Sequence, residues 1–120
     1  MKISRLLLTV FLCSPLFVFG GISGKYKIEG NDAQYGRYTG TAVIVKENST
    51  YIAHYVYSDG GTLVATGLRK GDQLSFVYSA ESGCGVQVYQ MKGCTLKGPW
   101  ADFGGGDTGY EKLTKIRHHS

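Results

Sequence analysis

Few side chains in this chain could do chemistry, and they fall into three groups. The first is reactive: Cys84, Cys94 and His54, with His118 and His119 left to the C-terminal tail. A thiolate beside an imidazole is a nucleophile with its base, but no local spacing joins Cys84 to His54, so a small hydrolase is the weakest of the readings. The second group is aromatic. In the run YIAHYVY, residues Tyr51, Ala53, Tyr55 and Tyr57 share one face of a strand, and Ile52, His54 and Val56 share the other. Tyrosines turned inward would line a polar small-molecule pocket. Turned the other way, or capping a packed core, they would bind nothing. Both faces carry apolar bulk, so the alternation leaves the inward side open. Tyr89 and the lone tryptophan, Trp100, complete the candidate ligand-binding set of Tyr51, Tyr55, Tyr57, Tyr89 and Trp100.

The third group is acidic. Asp102, Asp107 and Glu111 flank the glycine run 104–106 and resemble a loose oxygen cage. Calcium loops carry denser and more regularly spaced acids, so the expectation is a hairpin loop and no metal site. Glu111 shares its strand face with Leu113; if that face is interior, the carboxylate requires a partner, and Arg37 and Arg69 are candidates. No serine sits in a GxSxG elbow, and neither a phosphate loop nor a dinucleotide fingerprint is present. The expectation is a non-enzymatic chain with no cofactor and no catalytic residues.

These residues must be positioned by strands. From Lys25 onward, short runs rich in Val, Ile, Tyr and Thr alternate with clusters of Gly, Asn and Asp, and nothing sustains a helical period. Eight strands are predicted near 25–29, 38–46, 50–57, 62–69, 73–78, 85–91, 94–100 and 109–116. Ser58-Asp59-Gly60-Gly61, Lys70-Gly71-Asp72 and Lys92-Gly93 are hairpin signals. Consecutive antiparallel strands with short turns make a meander, and closing it removes both sheet edges. The fold class expected is therefore all-β, an eight-stranded antiparallel up-and-down barrel, with a two-sheet sandwich as the alternative. Strand glycines such as Gly40, Gly67 and Gly98 favour the barrel because they ease sharp bending. Pro99 cannot donate to a ladder and argues against perfect closure of the barrel near it, so strand seven is expected to end at Gly98 or to bulge there.

Residues 1–20 read as a secretory signal peptide: Lys2 and Arg5, an apolar run from Leu6, and a cut after Gly20. The single domain is then 21–120, exported to the periplasm or beyond the cell. The apolar run, broken at Ser14-Pro15, is shorter than the roughly 20 residues of a comfortable membrane span, so no stable span is expected after the signal is removed. Losing Lys2 and Arg5 halves the net charge from +4, and the nearly neutral remainder is no footprint for nucleic acid. Gly, at 18 of 120 residues, has no three-residue period, which excludes collagen. With Cys13 in the leader, Cys84 and Cys94 remain, and two cysteines in an exported chain commonly form a disulfide. If Lys92-Gly93 is the turn, Cys84 lies more than about 20 Å along its strand from the point facing Cys94. A bridge, an unpaired state and an intermolecular bridge all stay open.

The spaced segments YTGTAVIV, YIAHYVY, TGLRKGDQLSFVY, GVQVY, GCTLKGPWA and TGYEKL resemble those of small exported bacterial all-β proteins, some of them labelled fibronectin-binding. More distantly the chain is similar to the avidin and lipocalin type of barrel, although it lacks the several tryptophans that avidins place around their ligand. Its SGCGV segment lacks the tyrosine of the loop by which small exported lysozyme inhibitors act. These resemblances imply a binding module, for a small ligand at the barrel mouth or for an envelope or host macromolecule. The second case would be an adhesin or an inhibitor of a matrix protein or lysozyme-like enzyme, gripping through Trp100 and the 101–108 loop.

Overall fold

The computed structural model describes residues 21–117. Its eight strands are β1 (Gly24–Asp32), β2 (Gly36–Glu47), β3 (Thr50–Tyr57), β4 (Thr62–Lys70), β5 (Gln73–Ala80), β6 (Gly83–Lys92), β7 (Thr95–Asp102) and β8 (Thr108–Lys115). They form a closed barrel in chain order. Closure is antiparallel pairing of β1 with β8, from Tyr26 against Lys115 to Asp32 against Gly109. One continuous wall excludes the two-sheet sandwich. β3 has its predicted limits, β7 and β8 are displaced by one or two residues, and the other strands run about one to three residues further, their ladders pairing on toward the turns.

Two local expectations are corrected. The turn between β6 and β7 consists of Gly93 and Cys94, since Lys92 pairs with Thr95 and Met91 with Leu96. Pro99 neither ends nor bulges β7. Pairing of Gln87 with Trp100 and of Gln90 with Lys97 keeps the same register on both sides of it. The ladder is broken only where Pro99 has no N–H to give. The amide of Gln87 fills the break, donating through Nε2 to the carbonyls of Gly98 at 3.0 Å and Pro99 at 3.1 Å. A buried carbonyl left without a donor would cost free energy; here a side chain supplies it.

The interior has two halves of different character. Toward the turns at 48–49, 71–72 and 93–94 it is apolar: Ile28, Ile44, Leu74, Phe76, Leu96 and Leu113 are fully or almost fully buried. Side chains of this size contribute about 1.5–3 kcal/mol each on burial. Residues 21–23 lie across that end. Ile22 is buried against the core, its carbonyl accepts the hydroxyl of Tyr26, and Lys115 Nζ donates to Gly21 O at 3.0 Å. One end of the barrel is thereby stoppered. Toward the loops at 33–35, 58–61, 81–82 and 103–107 the interior turns polar and aromatic, and it opens.

Candidate functional site

The open half of the barrel holds a cavity of about 960 Å³, whose lining includes Tyr38, Tyr55, Tyr57, Tyr78, Trp100 and Glu111. Each of these side chains points inward because it falls on the interior phase of its strand, the phase that Ala42, Ala53, Phe76, Leu96 and Leu113 occupy nearer the stopper. Period-two alternation thus continues the core into the site with no change of register. The chemistry changes along the barrel axis, from Leu and Ile to Tyr, Trp and Glu.

Glu111 is the centre of the arrangement. It is 3% exposed and opposes Gly30 of β1 and Gly98 of β7 across the two ladders. Neither neighbouring strand therefore sets a side chain beside it. The ring of Tyr38 occupies the space over Gly30, where a Cβ would come within 2.1 Å of its Cζ. Tyr38 Oη donates to Glu111 Oε1 at 2.7 Å, and Tyr89 Oη donates to Oε2 at 2.6 Å. Tyr55 and Tyr89 hydroxyls meet at 2.9 Å; with the Tyr89 proton committed to Glu111, Tyr55 is the donor. Trp100 Nε1 donates to Tyr38 Oη at 2.8 Å. Two donor chains, Trp100 to Tyr38 and Tyr55 to Tyr89, converge on one carboxylate. Nearer the mouth, Tyr78 Oη donates to Asp102 Oδ1 at 2.8 Å.

Burial pushes the Glu111 carboxyl above its ordinary range, against the opposing effect of the hydroxyls of Tyr89, Tyr38 and Tyr57. The tyrosines stay protonated: burial first, and then the charge of Glu111, raise Tyr38, Tyr55 and Tyr57. The rings also order one another. Tyr38 meets Tyr57 edge-on with centroids 5.5 Å apart, and Tyr55 stacks on Tyr57 at 6.1 Å. Such pairs add about 0.5–1.5 kcal/mol beyond the area they bury.

The predicted residues separate along the barrel axis. Tyr55, Tyr57 and Trp100 line the cavity. Tyr89 is fully buried and reaches the site through Glu111. Tyr51 is on the same inward face of β3, next to the β2–β3 turn, and it belongs to the buried core of the stoppered half. The partners foreseen for Glu111 are corrected. Arg37 sits on the outward phase of β2, Arg69 lies toward the stoppered end and donates to Gly71 O, and tyrosines do the work instead. Tyr38, Tyr78 and Gln87 were missed. The signal for them was phase alone: each is an even number of residues from an inward neighbour on its own strand for β2 and β5, and two before Tyr89 on β6.

The reactive residues are kept apart. Cys84 is exposed at the cavity rim, whereas Cys94 is in the turn at the stoppered end. Roughly 25 Å of β6 lies between them at about 3.3 Å per residue, and no disulfide joins them. His54, Val64, Ser79 and Cys84 occupy one cross-strand row on the outer wall. Three strand spacings, roughly 14 Å at about 4.8 Å each, hold the imidazole out of reach of the thiol. Asp102, Asp107 and Glu111 take different partners. Asp107 accepts from the Thr108 N–H at 2.9 Å and lies close to Asp32 at the rim, and among the described residues no three such groups are placed to hold a metal ion.

This is a small closed β-barrel with a mouth cavity, and solved barrels share the fold. No family model and no curated protein matches the chain. Among solved structures, a de novo designed fluorescence-activating β-barrel superposes with a TM-score of 0.60 at 13% identity, covering 86% of this chain and 98% of its own. EF1p2_mFAP2b bound to DFHBI does so with a TM-score of 0.60 at 14% identity, covering 88% and 99%.

Proposed function

We propose that this protein is an exported, non-enzymatic barrel that binds a small molecule in its mouth. The observation that carries the reading is the pairing of a stoppered end with an open cavity of about 960 Å³, lined by aromatic rings around a buried carboxylate. An eight-stranded barrel has room for one small ligand, and cavities of this volume, apolar with a few converging polar groups, are typical ligand sites. The solved structures that share the fold support the reading: one is a designed fluorescence-activating β-barrel, and the other, EF1p2_mFAP2b, is bound to DFHBI. Export is supported by the leader-like residues 1–20, which lie outside the described residues, and by the resemblance to small exported bacterial β-proteins.

The test is expression in a secreting host. The intact mass should begin at Gly21, and native mass spectrometry after exposure to envelope and culture extracts should show a retained species below about 1 kDa, within the size such cavities hold. Trp100→Ala should release it. Absence of any bound species together with no thermal stabilisation would end the proposal.

One observation favours a second reading, contact with a macromolecule. Phe103 is 82% exposed and Tyr35 is 78% exposed, and both stand on loops at the mouth. Because Trp100 faces the cavity, that surface would be Phe103 with its loop. Undiminished capture of a matrix protein or a lysozyme by the Phe103→Ala variant would exclude it.

A further inference from the structure

We propose that the mouth cavity takes an organic ammonium ion, its positive end above Glu111 and among the ring faces of Tyr38, Tyr57 and Trp100. The inference deepens the small-ligand reading and rests on it. Its basis is what the cavity wall has left to offer. The side-chain donors closest to the floor are already committed inside the protein: Tyr38 and Tyr89 to Glu111, Trp100 Nε1 to Tyr38, Tyr78 to Asp102, and the Gln87 amide to main-chain carbonyls. An anion entering this space would have to break those bonds. What remains along the lining is the Glu111 carboxyl, hydroxyl oxygens and aromatic rings, groups that attract positive charge.

Charge points the same way. The lining contains four carboxylates, Asp32, Asp59, Asp102 and Glu111, against one guanidinium, that of Arg37. Arg37 lies on the outward phase of β2 at the rim. Lys27 and Lys112 pair with Glu29 on the outer wall, and the side chains that act on Glu111 are the hydroxyls of Tyr89, Tyr38 and Tyr57, so Glu111 is a buried carboxyl held by neutral partners. Ionising a carboxyl this deeply buried with only neutral donors around it is costly, and an arriving positive charge offsets that cost. Cations over Tyr and Trp faces are attracted by the ring quadrupole, most strongly where water is excluded. An alkylated or quaternary ammonium suits the site because it needs no further acceptors.

Binding should depend on pH. Around Glu111 the titratable groups are Tyr38 from β2, Tyr55 and Tyr57 from β3, Tyr78 from β5, Tyr89 from β6 and Asp102 from β7, with Asp32 of β1 at the rim. The tyrosines remain neutral, so Glu111 is the buried group whose charge changes. In the empty barrel burial favours its protonated form; a bound cation favours the ionised form, so binding releases a proton when the pH is near the carboxyl's raised value.

The experiment compares charge at constant shape by calorimetry. Tyramine is set against para-propylphenol and para-hydroxyphenylacetate, and benzyltrimethylammonium against neopentylbenzene. The expected result is that each cation binds about tenfold or more tighter than its neutral isostere, the size of one well-placed charge contact. Proton release, seen as a dependence on buffer ionisation enthalpy, should accompany it. Glu111→Gln should abolish the preference. Should that variant fold poorly, Asp102→Asn should reduce it, and the wild-type comparison stands without either. Equal binding of the neutral probes, or tighter binding of the carboxylate, would overturn the ammonium assignment and leave the small-ligand reading intact. Binding of none of the probes would also overturn it, and the extract experiment above would then judge the small-ligand reading separately.

Discussion

The hydroxyl of Tyr89 donates to Glu111 Oε2 at 2.6 Å, tying β6 to β8 through the barrel interior and not along the wall, where β7 stands between them. The bond gives a buried acid an acceptor's role and gives a fully buried tyrosine a place for its proton. Burial, which this bond opposes, makes Glu111 a group through which pH acts on this fold.

Stability should fall as pH rises through the titration of Glu111. The unfolded carboxyl titrates near 4.5, and burial holds the folded one higher. Between the two values the native state binds more protons than the unfolded chain, so unfolding free energy declines with pH across that interval. The contribution is complete below about 4.5 and is lost above the folded value. Thermal melts of wild type and Glu111→Gln from acidic to neutral pH should show this slope in the first and a flatter line in the second. Glu111→Leu, which leaves the Tyr38 and Tyr89 hydroxyls without their acceptor, should cost about 1–3 kcal/mol or more near neutrality.

Gly109 lies under the indole of Trp100. A Cβ there would come within 2.4 Å of Trp100 Cζ2 and within 2.5 Å of the Asn31 carbonyl. Neither can yield freely, the one being packed at the cavity wall and the other main chain. Gly109→Ala should destabilise the barrel by about 1–3 kcal/mol, the usual cost of overpacking. It should also displace the indole from Tyr38. Because Trp100 is the sole tryptophan, intrinsic fluorescence reads that displacement directly; an unshifted emission spectrum would contradict the packing described.

Gln87→Ala should be costly for a reason unrelated to ligand. It strips the donor from the carbonyls of Gly98 and Pro99, where the ladder is already interrupted. A loss of about 1–3 kcal/mol in urea unfolding is expected from the unpaired carbonyls. Amide exchange near Trp100 and Ala101 should quicken as β7 loosens, while exchange in β3 should not change.

The two cysteines should behave independently. Intact mass under non-reducing conditions should show a monomer that accepts an alkyl group at Cys84 quickly and at Cys94 more slowly, since Cys84 is exposed and Cys94 partly buried. A ligand in the mouth should slow alkylation of Cys84, which lines the rim. A monomer with an internal bridge would contradict the barrel itself, because the thiols sit at opposite ends.

Strand content, strand order and closure were legible in the sequence because they depend on local signals. Turn residues at regular intervals with no helical period leave a meander, and a meander with no covering helix must deal with its edges. Even the Pro99 interruption was visible, although not its repair by Gln87, whose carbonyl partners lie 11 and 12 residues away. The inward face of β3 was not legible. Ile52 and Val56 on β3, Val45 opposite Ile52 on β2, Val64 opposite His54 on β4 and Val77 on β5 give the outer wall apolar side chains of its own. Alternation shows that the faces differ, and only closure shows which is enclosed. The site is likewise a product of closure. Tyr38 and Glu111 are 73 residues apart, and Tyr89 and Glu111 are 22 apart. Sequence supplied an acid and nine tyrosines. The curvature that wraps β2, β6 and β8 around a common axis decided which of them would share a proton, and the stopper at Ile22 decided which end of the barrel would open.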